Sequence, residues 1–240
     1  MLFDIHTHIL PRMDDGAGSS AESCAMLRLL KQQGVDAVIA TPHFRGDKDT
    51  LHGFFTRRDA CYAQLMKYYD REVMPEIYLG AEVRYFKGIT ESPDFPRLAL
   101  GKSHYILMEP PYGAFPSGMV AELKNFVNSA AYKLIIAHVD RYLSTNPWET
   151  VCSLCDGEKI RGQVNAEALI RFIGRKKAVA LLENQICSYL ADDTHDMQER
   201  KPVMEPAMKQ IEKHCRQDTI KQLMRNNTEL YHAVKGEILR

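Results

Sequence analysis

Seven short strand-like apolar runs recur along the chain at 2–5, 35–41, 76–80, 104–108, 133–137, 162–165 and 186–191, the second of them rich in β-branched residues. Between them lie stretches with helical periodicity at 19–34, 51–72, 119–131, 148–155 and 166–184, and the tail from 204 onward reads as helix. Strands of one direction need long crossovers, usually helices, so the alternation predicts an α/β fold with a parallel sheet, open or closed into a barrel. Local punctuation agrees. Ser19 and Glu22 have capping-box spacing, Gly34 stands where the first helix should end, and Pro42 stops the second strand.

The 240 residues contain no repeat, no low-complexity tract and no Pro- or Gly/Ser-rich linker, so a single domain over 1–240 is expected. Lys plus Arg equals Asp plus Glu at 31 each, and no global field draws the chain to nucleic acid. No apolar run approaches the roughly 18–20 residues of a membrane helix, and Met1–His6 lack the segments of a signal peptide. The expectation is a cytoplasmic protein without membrane insertion. Six scattered cysteines, at 24, 61, 152, 155, 187 and 215, suggest reduced thiols rather than a disulfide framework.

Chemistry gathers where the strands end. His6, His8, Asp14 and Asp15 follow the first run, His43 the second and Glu82 the third; Glu109 ends the fourth and His138 the fifth, and Asp193 and His195 follow the seventh. In a parallel barrel the C-terminal strand ends converge on one face, so these residues would meet. Imidazole and carboxylate together suit Mn, Fe or Zn, whereas an all-oxygen set would suit Mg or Ca. One ion cannot use so many groups. Two or three ions sharing carboxylates would, and closely spaced metals clamp both oxygens of a phosphoryl displacement. Each motif alone is weak, since a His-x-His pair in a strand often binds nothing and a lone Glu82 or Glu109 is more often solvated. Their joint placement at six of seven strand ends points to a metal-dependent phosphohydrolase.

His6-Thr7-His8, Asp14-Asp15-Gly16, Ala40-Thr41-Pro42-His43, Gly80-Ala81-Glu82, Met108-Glu109, Ala137-His138-Val139-Asp140-Arg141-Tyr142 and Asp193-Thr194-His195 occur in the order of the PHP (polymerase and histidinol phosphatase) superfamily motifs. With Gln163-Val164-Asn165, the set more narrowly resembles the superfamily's bacterial protein-tyrosine phosphatase branch, the CpsB/YwqE-like enzymes of capsule and exopolysaccharide control. The resemblance spans roughly residues 2–202. It implies a PHP-type distorted (β/α)7 barrel with two to three divalent ions, commonly Mn, at the C-terminal strand ends. By that pattern His6, His8, Glu82 and Asp193 hold one ion. Glu82 bridges to a second held by Glu109 and His138, while Asp15, His43 and His195 hold a third. Asp15 is chosen because it directly precedes the glycine, which leaves Asp14 to orient the loop.

The same resemblance implies that Arg141 contacts phosphate; a planar guanidinium suits bidentate binding. Arg84, just past Glu82, is a second and weaker substrate candidate. The expected reaction is attack of a metal-bridging hydroxide on a phosphotyrosine, with a bacterial tyrosine autokinase as partner. The alternatives are a small-molecule phosphatase such as histidinol-phosphate phosphatase, and a non-catalytic binding protein that retains its metals. Asp140, Phe44, Asp192 and Asp196 depart from the usual motif residues without touching the ligand positions. Cys155 and Arg161 have the Cys-x5-Arg spacing of thiolate phosphatases, but Asp156 and Glu158 between them would oppose both phosphate and thiolate.

Overall fold

The computed structural model describes residues 1–237. Its first strand, β1 (Phe3–Thr7), is buried at every residue, as a strand covered on both faces must be. α1 (Ser20–Gln32) follows, then β2 (Ala37–Ala40), β3 (His43–Phe44), α2 (Leu51–Met66), β4 (Glu76–Leu79) and β5 (Glu82–Arg84). Next come β6 (Tyr105–Glu109), α3 (Met119–Ser129), β7 (Lys133–Ile136), α4 (Val139–Tyr142), α5 (Trp148–Leu154) and β8 (Ile160–Asn165). α6 (Ala166–Ile170), α7 (Phe172–Glu183), β9 (Cys187–Ala191), α8 (Met204–His214) and α9 (Gln217–Lys235) complete the described chain.

Every strand pairing is parallel. Three strands run in the order β1-β2-β4, and six in the order β3-β5-β6-β7-β8-β9. The expected second and third strands, β2 and β4, are each followed by a short continuation outside the expected bounds. β2 passes into β3 through Thr41-Pro42, where proline has no N–H for the ladder, and β4 passes into β5 through Gly80-Ala81. Backbone bonds still bridge the breaks, from Gly80 N–H to Ala40 O at 2.9 Å and Glu82 N–H to Pro42 O at 3.1 Å. Past β9 the chain returns to β1. Asp193 N–H donates to His6 O and His8 N–H to Thr194 O, both at 2.9 Å.

Alternate strand residues divide between two apolar clusters. Ile106, Met108, Leu134 and Ile136 face one, while Leu107 and Ile135 face the other, where α9 adds Leu230 and Val234. Period-two alternation with both faces apolar is what a parallel sheet buried on both faces requires.

Local signals held unevenly. Ser19 Oγ accepts the Glu22 N–H at 3.2 Å, but Glu22 reaches back to the Gly18 N–H rather than that of Ser19. The second helix ends at Met66 rather than near 72, and Asp70 then accepts the Glu72 N–H at 3.0 Å, a local turn that competes with helix. The long helix expected over 166–184 is broken at Arg171, which is extended at φ −72° and ψ 133°. Among the described residues no helix is long and apolar enough to cross a membrane.

Candidate metal centre

Hydrogen bonding decides which imidazole nitrogens face the strand-end cluster. Asp14 Oδ2 lies 2.7 Å from His8 Nδ1, and a carboxylate only accepts, so Nδ1 carries a hydrogen and Nε2 is the nitrogen turned toward the cluster. The His138 N–H donates to Gln163 Oε1 at 2.7 Å, which identifies that amide atom as oxygen. The same oxygen is 3.3 Å from His6 Nδ1, so His6 too presents its Nε2. His195 Nδ1 donates to the Asp193 carbonyl at 2.9 Å, and its buried Nε2 has no partner.

His6 Nε2 and His8 Nε2 then face each other across 3.1 Å. Two lone pairs at that distance repel unless a cation or a proton lies with them. Burial pushes the His8 pKa down, but Asp14, with Asp193 and Glu82, more than reverses this and holds it well above the ordinary histidine value.

Glu82 occupies the middle. Its Oε2 is 3.3 Å from both His6 Nε2 and His8 Nε2 and 2.9 Å from His43 Nδ1, while Oε1 is 3.0 Å from His138 Nε2. Burial alone would raise its pKa; the surrounding imidazoles, His6 foremost, hold it well below the usual carboxylate value. Asp193 Oδ1 lies 3.4 and 3.5 Å from His6 and His8 Nε2. Three groups offer donor atoms within 4.8 Å of one another: His6, His8 and Asp193; His8, Asp15, His43 and His195; and His43, Glu82 and Glu109. His138 joins the last of these, 3.8 Å from Glu109.

All nine predicted ligand positions therefore meet, with His8 and His43 each shared between two groups. Glu109 Oε2 and His195 Nε2 are buried without a hydrogen-bond partner, and His43 Nδ1 and Glu82 Oε2 approach to 2.9 Å without hydrogen-bond geometry, a costly arrangement for protein alone. Mixed nitrogen and oxygen donors with free lone pairs fit a cluster of divalent transition ions.

The supporting geometry is specific. A Cβ on Gly16 would lie 2.2 Å from the His8 carbonyl oxygen, so only glycine lets the Asp14–Asp15 loop close beneath His8. His138 and Asp193 both adopt positive φ, 33° and 54°, in a region non-glycine residues seldom occupy.

The profile of the family described as "Capsular polysaccharide synthesis, CpsB/CapC" matches residues 2–231. The chain belongs to this family. It is 29% identical to the tyrosine-protein phosphatase YwqE of Bacillus subtilis, over 88% of this chain and 84% of that protein. It is 27% identical to the tyrosine-protein phosphatase CpsB of Streptococcus pneumoniae, over 94% and 96%. It also shares its fold, at a TM-score of 0.82 and 24% identity over 100% of this chain and 96% of the other, with a crystal structure from work on YwqE and CpsB as "unique metal-dependent tyrosine phosphatases".

In this CpsB/CapC member, Arg141 Nη2 donates to Asp193 Oδ2 at 2.6 Å, at the lip of the cluster. Arg84 shares the Glu82 face of β5 and pairs in register with Glu109, but has no carboxylate ion pair among the described residues. Sequence reasoning missed Arg200, whose Nη2 donates to the same Asp193 oxygen at 2.7 Å. Its signal was faint: an arginine in the loop after the last strand, where Asp196 Oδ1 accepts the N–H groups of Gln198, Glu199 and Arg200.

Gln163 and Asn165 connect in series to Asp193. Gln163 donates to Asn165 Oδ1 at 2.7 Å, and Asn165 donates to Asp193 Oδ2 at 3.0 Å. The shorter Asp140 accepts the Asn165 N–H at 2.9 Å, and Asp192 accepts the Val203 N–H at 2.7 Å, so both departures have backbone partners. All six cysteines are free, and burial raises the Cys155 thiol far above its ordinary value, which disfavours a thiolate nucleophile there.

Proposed function

We propose that this chain is a metal-dependent phosphomonoesterase that removes phosphate from phosphotyrosine in proteins. The carrying observation is one cluster in which inward-facing imidazole lone pairs surround Glu82 and Asp193, with Arg141 and Arg200 both fastened to Asp193 at its edge. The names of its relatives support the substrate.

In this reading the nine strands form seven staves of a distorted barrel, since β2–β3 and β4–β5 each continue one path and the segment after β9 bonds back to β1. His6, His8, Glu82 and Asp193 would hold one ion, Glu82, Glu109 and His138 a second, and Asp15, His43 and His195 a third. Manganese is the proposed metal, with iron or zinc as the alternatives the same donors accept. Such ions would supply Lewis acidity toward the phosphoryl oxygens.

The protein's own groups do the rest. Asp14 and Gln163 keep Nδ1 of His8 and His6 protonated, so that Nε2 stays available. The Asp15 side chain is 59% exposed whereas those of His6, His8 and Glu82 are at most 1% exposed, so substrate approaches from the Asp15 side. Arg141 and Arg200 each have further N–H groups for the phosphoryl oxygens. A tyrosine phenolate, with an unperturbed pKa of about 10, leaves with less protonation than an alkoxide requires. A tyrosine autokinase of capsule control is the proposed partner, and the cytoplasm the proposed site of action.

The test is turnover of a phosphotyrosyl peptide, a phosphoseryl peptide and histidinol phosphate by protein purified without chelator. Phosphotyrosyl turnover should vanish on metal removal and return with Mn²⁺. Activity persisting after elemental analysis shows no metal would overturn the metal assignment, and preference for histidinol phosphate would overturn the substrate.

A further inference from the structure

The break between α6 and α7 is held by specific contacts. Arg175 donates from Nε to Leu169 O at 2.7 Å and from Nη2 to Ile170 O at 3.1 Å, capping carbonyls that a continuous helix would have bonded itself. Gly174 passes close enough to Ala168 that a Cβ there would sit 3.2 Å from its carbonyl oxygen. Arg171, at the break, is tied to Glu167.

This break leaves Phe172 and Ile173 at 89% and 93% exposure, the two most exposed large apolar side chains among the described residues. Both border a cleft of about 560 Å³ whose lining also includes Asp140, Arg141, Asn165 and Arg171. Arg141 and Asn165 reach Asp193 Oδ2 at 2.6 and 3.0 Å. The cleft therefore joins the apolar pair to two side chains that hydrogen-bond to Asp193 of the metal cluster.

We propose that Phe172 and Ile173 form a docking lip for the polypeptide that carries the phosphotyrosine, packing against apolar side chains that flank it. The proposal rests on the tyrosine-phosphatase reading above. Continuity with Arg141 favours a substrate segment over a second copy of this chain, because a phosphate held at Arg141 places the attached peptide along the cleft. Two side chains are also far short of the roughly 1,200–2,000 Å² that a stable protein interface buries. An extended segment needs only such local purchase once its phosphate is anchored. The lip thus gives the enzyme a means of telling a phosphorylated protein from a small aryl phosphate.

The experiment compares the wild type with Phe172→Ser, Ile173→Ser, the double variant and the conservative Phe172→Leu. Substrates are a phosphotyrosyl peptide with apolar flanking residues and phenyl phosphate, which offers the same leaving group without a peptide. The double variant should lose about tenfold in kcat/KM on the peptide, mainly through KM, and Phe172→Leu should retain most of it. Turnover of phenyl phosphate should be unchanged, which also shows that the variants fold. Equal effects on the two substrates, or none on the peptide, would overturn the lip. A wild-type dimer that the double variant dissociates would assign the pair to a second copy and overturn it as well. Failure of the underlying phosphatase reading looks different, since the wild type would then turn over neither substrate.

Discussion

Asp14 Oδ2 stands 2.7 Å from His8 Nδ1 and 2.9 Å from the His43 amide nitrogen, so one carboxylate oxygen orients two strand-end histidines. Its other oxygen accepts the Gly16 N–H at 3.0 Å. Burial pushes the Asp14 pKa up, but His8 and these hydrogen bonds outweigh it and bring the group to about 2. Asp14 acts through His8, while its neighbour Asp15 faces the cluster.

Replacing Asp14 with alanine should therefore weaken metal binding by about 10–100-fold without removing a ligand. Excess metal should restore most of the activity. Titration of metal into chelated protein checks this, and an affinity equal to wild type would refute the positioning role.

Gln163→Leu should leave two buried donors, the His138 N–H and His6 Nδ1–H, without their acceptor. The cost is about 1–3 kcal/mol per stranded group. Denaturant unfolding of the metal-free protein should show the loss, together with reduced metal content after purification.

Loading the site with metal should release protons at neutral pH. Burial lowers the His43 pKa, yet Asp15 and Glu82 more than offset this and lift it to about 9, and His8 is raised as well. Protonated imidazoles cannot ligate, so apparent affinity should rise with pH up to about 9 and fall as the pH drops. Calorimetry in two buffers of different ionisation enthalpy measures the proton count directly; a buffer-independent heat would contradict the prediction.

Arg141→Lys and Arg200→Lys should each reduce kcat/KM on a phosphotyrosyl peptide by about 10–100-fold, corresponding to roughly 1.5–3 kcal/mol for a charge-assisted contact. Metal content should be retained, because Asp193 keeps its Asn165 hydrogen bond and whichever arginine remains. Competition by inorganic phosphate should weaken in parallel. Unaltered phosphate inhibition would remove the arginines from substrate binding.

Much of the site was readable because ligand chemistry is tied to local pattern. His6 and His8 follow an apolar run, His43 follows Pro42, and Glu109 closes β6, so residue type and strand end coincide within a few positions. The strand continuations and the broken helix were less readable. Pro42 reads as a strand terminus, although the strand path resumes one residue later with different partners. Arg171 has no breaker signal of its own; Arg175 and the close passage of Gly174 make the break.

The sequence by itself determined the alternation of strands and helices and the residue types at the strand ends, since periodicity and side-chain chemistry reside in near neighbours. Only the tertiary structure decided which nitrogens point inward. That depends on Gln163 meeting His6 across 157 residues and on His138 being held from 25 residues away. It likewise decided that Arg200 joins Arg141 on one oxygen of Asp193, and that Phe172 and Ile173 line a cleft with Arg141. These features arise from contacts between distant segments, whose geometry exists only once the parallel strands have brought their ends together.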